Sequence, residues 1–239
     1  MSNILVFDTS SSWCSAALST GDKVFAVSEK QPRKHAQVLM PMIESLCKQA
    51  NIKPAQLDGI AFGKGPGSFT GLRIAISVAQ GLSLATNAKL FGISSLQALA
   101  WQGMKQHKVS RVLAIMNAHM GEVFYGAYDQ LTAVIDDALC KPGDVDLGAI
   151  AGDLDSQDAN TLWVGAGDGF QFESELPAAI SQLSMIDAEV FPLAESMMDI
   201  ALKAWQDDLF TGSDQQQLVY LRDTVAWKKL ADQPSLLKR

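Results

Sequence analysis

The sequence is poor in the residues that hold metals and crosslinks. Its three cysteines, Cys14, Cys47 and Cys140, show no CxxC spacing. That leaves no disulfide framework and no zinc-thiolate spacing, and a reducing, cytoplasmic setting is the expected compartment. The three histidines, His35, His107 and His119, lie far apart, and no HExxH pair occurs, so the helix of a zinc peptidase is missing. No apolar run approaches the roughly 18 residues of a membrane span. "MSNILVFDTS" carries neither a basic leader nor a cleavage site, so no signal peptide is expected. Basic residues are scarce in one region above all. Residues 129–214 hold 2 Lys/Arg against 18 Asp/Glu, whereas residues 1–128 hold 12 against 6 and residues 215–239 hold 5 against 2. With a formal net charge of −7, the acidic middle weighs against a chain that wraps nucleic acid. The basic ends can still meet RNA or an acidic partner.

Apolar residues are plentiful. At 239 residues and 48% hydrophobic content, the chain can bury the core of one large domain or two lobes. "ILVFDTSSSWCSAALSTGDKVFAVSEK" reads as three strands, over 4–7, 13–18 and 24–27, with Gly21-Asp22 as the hairpin turn. From Lys34 to Ala50 the pattern turns helical, with Val38, Leu39, Met42, Ile43 and Leu46 on one side. Pro41 inside it predicts a kink or a later start. A strand at 59–62, a glycine loop, a helix over about 69–86, a strand at 89–93 and a helix at 94–106 follow. "RVLAIMN" and "EVFYGAYD" then repeat the opening strand pair, so that Asn117 overlays Asp8. This echo predicts a duplication with a lobe boundary near 107–110. Residues 129–160 read as irregular, "TLWVGAG" as a strand, 193–208 as an amphipathic helix and "QLVYLR" as a late strand.

The stretch "GKGPGSFTGLR", Gly63 to Arg73, sits between a strand and a helix, where phosphate loops occur. Yet Gly71 is followed by Leu72 rather than Lys, so it is not a Walker A loop. The dinucleotide spacing GxGxxG fails at Ser68 and at Thr70, and GxSxG fails because Ser68 directly follows Gly67. Two readings stay open: glycines that permit a tight turn and close backbone approach, with Ser68 or Thr70 capping the helix, or a weak anion site at the helix start.

"ILVFDTSSSWCSAAL", "GKGPGSFTGLRIAISVAQGL", "MGEVFYGAY" and "VYLRDTVAWKKL" together resemble the TsaB (YeaZ) family of bacterial tRNA threonylcarbamoyladenosine biosynthesis proteins. The likeness covers nearly the whole chain and is weakest over 129–190. It implies an α/β, actin/Hsp70/sugar-kinase-like fold with two ribonuclease H-like lobes, here residues 1–108, completed by 215–239, and 109–214. It also implies a cytosolic assembly with a TsaD-like catalytic paralogue and a TsaE-like ATPase, which modifies adenosine 37 of tRNAs reading codons that begin with A. Contact with tRNA would be indirect, through that assembly, and no membrane is involved.

What the resemblance implies for single residues is a pseudo-enzyme with no catalytic or metal-ligating residue of its own. Asp8 stands where the superfamily holds a metal–nucleotide complex, so Asp8, Thr9 and Ser10, with Gly65, Gly67 and Ser68, are candidates to face an interlobe cleft. Asn117 removes the second carboxylate that a hard cation prefers. Ser95 and Leu99 stand where the catalytic paralogue carries its histidine pair. ATP is then used by the assembly, with none bound tightly here. A self-sufficient ATPase or kinase, and a metallopeptidase, are the alternatives. On the helix after the loop, Ala75, Ala79 and Ser83 recur every four residues beside Leu72, Ile76 and Leu82. Such a stripe suits an internal contact or a close-packed partner. Family members pair through first-lobe helices, with themselves or with the catalytic subunit, which favours a partner face that also takes in His35 and Leu39. Arg222, Trp227, Lys228 and Lys229 combine basic and aromatic character and are candidates for tRNA or partner contact.

Overall fold

A computed structural model of the protein describes residues 2–30, 33–154 and 161–222. Its frame is two five-stranded mixed sheets of the same construction. The first contains β1 (Ile4–Asp8), β2 (Trp13–Thr20), β3 (Lys23–Lys30), β4 (Gly59–Gly65) and β5 (Lys89–Ser94), in the order β3-β2-β1-β4-β5. The second contains β6 (Arg111–His119), β7 (Glu122–Asp129), β8 (Thr132–Cys140), β9 (Trp163–Ala166) and β10 (Met185–Asp187), in the order β10-β9-β6-β7-β8. In each, the first three strands form an antiparallel meander and the last two add in parallel to its first strand. The duplication read from the opening strand pairs therefore extends over whole sheets. It reaches side chains too: Asp8 Oδ1 accepts from the Ser10 amide at 2.9 Å, and Asn117 Oδ1 accepts from the His119 amide at 2.8 Å.

Alternation along the strands decides what covers each face, because successive side chains point to opposite sides. Leu5 and Phe7 of β1 join Ile60 and Phe62 of β4 under helices α1 (His35–Ala50) and α2 (Phe69–Thr86). Ile4, Val6 and Ala61 face the other way, against α4 (Ala194–Gln206) and Ala98 of α3 (Ser95–His107). In the second sheet Val112, Ala114 and Met116 pack on Leu96, Leu99 and Met104 of α3. Leu113 and Ile115 meet Val145, Ile150, Phe170 and Ile180, residues of a layer that contains short 3₁₀ turns rather than long helices. The helices thus cross over. Helix α3, which precedes the second sheet in sequence, packs on that sheet, while α4 returns to the first.

Three local expectations change. Helix α1 runs from His35 through Pro41 without a break. Residues 132–140, read as irregular, form edge strand β8. "QLVYLR" forms no strand, and among the described residues its one backbone bond to a sheet runs from the Val219 amide to the Lys64 carbonyl, 2.8 Å. Among the described residues no helix is long and apolar enough to cross a membrane.

Candidate functional site

Strand β4 runs on through Gly63 and Lys64 to Gly65, whose φ of +104° suits glycine, and a cis Gly65–Pro66 bond turns the chain. Ser68 caps α2, its hydroxyl accepting from the Gly71 amide at 3.3 Å. The loop then lies directly on the β1–β2 turn. The Ser68 amide donates to the Ser10 carbonyl at 2.8 Å, and Thr9 Oγ1 donates to the Gly71 carbonyl at 2.8 Å. A Cβ at Gly63 would stand 1.9 Å from Asp8 Oδ2, and one at Gly71 would stand 1.9 Å from the Thr9 carbonyl oxygen. The glycines are needed because the loop touches the turn with no room for a side chain. As a result Asp8, Thr9, Ser10 and Gly65 are buried, Gly67 is half-buried, and only Ser68 is exposed. The expectation that Asp8, Thr9 and Ser10 face an open cleft is corrected by their own glycine loop, which seals them in.

Enclosure sets the electrostatics of Asp8. Its Oδ1 accepts from the amide and hydroxyl of Ser10, whereas Oδ2 is buried without a partner. Burial outweighs the two Ser10 bonds and pushes the carboxyl up to about 6. A carboxyl raised in the folded state contributes stability that is fully present below its unfolded pKa of about 4. That contribution is lost as pH rises through about 6. Asp8→Asn keeps the acceptor for Ser10 and removes the charge. It is expected to stabilise the protein at pH 8 by on the order of 2 kcal/mol, and to change little at pH 4. Urea unfolding at the two pH values checks this, and equal stability of the two chains at pH 8 would contradict it.

The stripe of small residues on α2 also needs correction. Ala75 and Ala79 are wholly buried, Leu72 nearly so, and Ser83 is buried with its hydroxyl donating to the Ala88 carbonyl at 2.8 Å. Ala75 and Ala79 belong to the cluster that covers Leu5, Phe7 and Phe62. His35 and Leu39 of α1 are buried as well, and Ile76 and Leu82 are partly buried. This face is an internal contact: small side chains let α2 lie close on its own sheet. The same helix carries a second small stripe two residues on, Ser77, Gly81 and Ala85, and all three are exposed. Around a Cβ at Gly81 there is nothing within 4 Å. Leu84, 85% exposed, and Phe69, 53% exposed, flank the stripe. The Arg73 guanidinium lies 3.7 Å from the Phe69 ring centroid, and Tyr220 packs on the same ring with centroids 5.8 Å apart. Glycine in a helix interior costs about 1 kcal/mol relative to alanine, and among the described residues nothing requires it at position 81.

The remaining candidates disperse. Arg222, a candidate for tRNA or partner contact, binds internally, its Nη2 donating to the Ala118 carbonyl at 3.1 Å and to Glu122. Trp227, Lys228 and Lys229 lie outside the described residues. His107 meets Asp187 at 3.0 Å, His35 is buried as the first residue of α1, and His119 ends β6 at the turn to β7. Ser95 and Leu99 are buried in α3.

Comparisons with known proteins agree with this layout. The family model described as TsaD, tRNA N6-adenosine threonylcarbamoyltransferase, matches residues 26–210. The tRNA threonylcarbamoyladenosine biosynthesis protein TsaB of Escherichia coli strain K12 is 35% identical, over 95% of this chain and 97% of its own. The protein of that name from Bacillus subtilis strain 168 is 32% identical over 56% of this chain and 58% of its own. The solved structure of YeaZ from Pseudomonas aeruginosa superposes with a TM-score of 0.83 at 34% identity, covering 92% of this chain and 100% of that one.

Proposed function

The chain belongs to the TsaB family of tRNA threonylcarbamoyladenosine biosynthesis proteins, and from that premise we propose that it is the non-catalytic scaffold subunit of its assembly. The assembly forms N6-threonylcarbamoyladenosine at position 37 of tRNAs reading codons that begin with A. This subunit pairs with a TsaD-like catalytic paralogue, works beside a TsaE-like ATPase, and self-pairs when the paralogue is absent. The outer face of α2 carries the reading. A small-residue stripe open to solvent, Ser77, Gly81 and Ala85, is bordered by exposed Phe69 and Leu84. It has the form of a surface that a second helix approaches closely, with an aromatic and an arginine at one end to anchor it.

The turn around Asp8 supports the pseudo-enzyme half of the proposal. A metal–nucleotide complex does not fit these residues as they stand. Asp8 and Thr9 have no exposed surface, and the loop that encloses them leaves no space for even a methyl group at Gly63 or Gly71. The second sheet offers an amide, Asn117, at the matching place, with its oxygen turned back to the His119 amide. Both features favour a scaffold over a self-sufficient ATPase of the same fold. In cells depleted of the protein, tRNAs are expected to lose the threonylcarbamoyl group at adenosine 37. Mass spectrometry of digested tRNA reads this directly, and normal modification with no substitute gene present would contradict the assignment.

A further inference from the structure

The two sheets are connected in two ways. Helices α3 and α4 pack together, with Asp199 accepting from Trp101 Nε1 at 2.9 Å and from Lys105 Nζ at 2.7 Å. At the carboxyl ends of the strands the connection is made by side chains and one segment. Ser94 Oγ, at the end of β5, donates to Asp137 of β8 at 2.5 Å. Residues 216–222 then run from the first sheet to the second. Gln216 Nε2 donates to the Leu90 carbonyl at 3.1 Å, Leu218 packs against the cluster beneath α1 and α2, and the Val219 amide binds the Lys64 carbonyl. Further on, Leu221 packs against the cluster of the second sheet, and Arg222 binds the Ala118 and His119 carbonyls and Glu122. Gly65 makes room for the segment, since a Cβ there would stand 2.8 Å from the Val219 carbonyl oxygen.

We propose that Gln216–Arg222 is a releasable strap that locks the two lobes together, with Arg222 as the anchor whose release loosens the segment back to Val219. The two ends differ in kind. The first-lobe end includes a backbone–backbone bond, Val219 to Lys64, beside Gln216 and the partly buried Leu218. Among the described residues the second-lobe end is held by side chains alone, Leu221 on the core cluster and Arg222 on two carbonyls and on Glu122. The Arg222 and Glu122 side chains remain 22% and 34% exposed. Water reaches this half-buried pair in part and screens it in part, which makes it the looser anchor. Release at that end would free the second lobe to turn about the packed α3 and α4 while leaving α2 and its outer face undisturbed. The angle of the second lobe beside a partner held on α2 can then change without breaking that contact. This device stands independently of the reaction the assembly performs.

Residue-resolved hydrogen exchange on the full-length chain tests it. In Arg222→Ala the Val219 amide is expected to exchange at least about tenfold faster than in the wild type. In the milder Glu122→Gln it should exchange a few-fold faster, and in both variants the amides of Leu72–Thr86 should keep their wild-type rates. Unchanged protection of Val219 in both variants would overturn the proposal, because the strap would then be held without its second-lobe anchor. Acceleration spread equally over α2 would overturn it too, since it would mean general loss of stability rather than release of one segment.

Discussion

Ala79→Arg is expected to unfold the first lobe. Position 79 has no exposed surface and lies in the cluster built from Leu5, Phe7, Ile60, Phe62 and both outer helices. An arginine there must either bury a guanidinium with no partner or push α2 off its sheet. An uncompensated buried charge costs roughly 3–5 kcal/mol, and forcing extra methylenes into a packed core adds about 1–3 kcal/mol. Against a total stability of roughly 5–15 kcal/mol, the sum is a large share. For a chain of this size each kcal/mol moves the melting temperature by about 2–4 °C, so a fall of at least about 10 °C is expected, or failure to accumulate as soluble protein. Scanning calorimetry beside the wild type measures it. A melting temperature within about 2 °C of wild type would show that this face is not core.

That result separates what the sequence makes plain from what it hides. The fold was legible because the strand-turn-strand pattern around Asp8 recurs around Asn117, and a repeat that close in spacing builds the same sheet twice. The capping role of Ser68 was legible from local chemistry alone. The facing of α2 was harder, because two small-residue stripes run along it two positions apart, Ala75/Ala79/Ser83 and Ser77/Gly81/Ala85. Smallness marks both equally. The deciding signal was the company each keeps: Arg73 and Gln80 share a face with Ser77 and Leu84, at spacings of three and four, and charge marks the side that meets water. The enclosure of Asp8 had no local signature, since it comes from residues more than 50 positions away touching the turn. Strand β8 was hidden for a related reason. Two adjacent acids, Asp136 and Asp137, read as loop, yet Asp137 is turned inward to Ser94 and Tyr128, a pairing made only by the folded chain.

Gly81→Arg is expected to do what Ala79→Arg cannot, abolishing pairing while leaving the fold intact. The new side chain meets open space, and replacing a mid-helix glycine adds helix propensity of about 0.5–1 kcal/mol, so the melting temperature should hold or rise. A partner helix seated on Ser77, Gly81 and Ala85 meets the opposite circumstance. It must stand away from α2 or bury an unpaired guanidinium, and the loss on the order of 3 kcal/mol is over a hundredfold in affinity. On the proposed reading one face serves both self-pairing and pairing with the TsaD-like subunit, so the two should compete and should fail together. The decisive measurement is a calorimetric titration of the TsaD-like paralogue into Gly81→Arg, beside the wild type. The account predicts at least about a hundredfold weaker binding by a variant that melts no lower than wild type. Wild-type affinity in that titration would contradict it and place the partner on another surface.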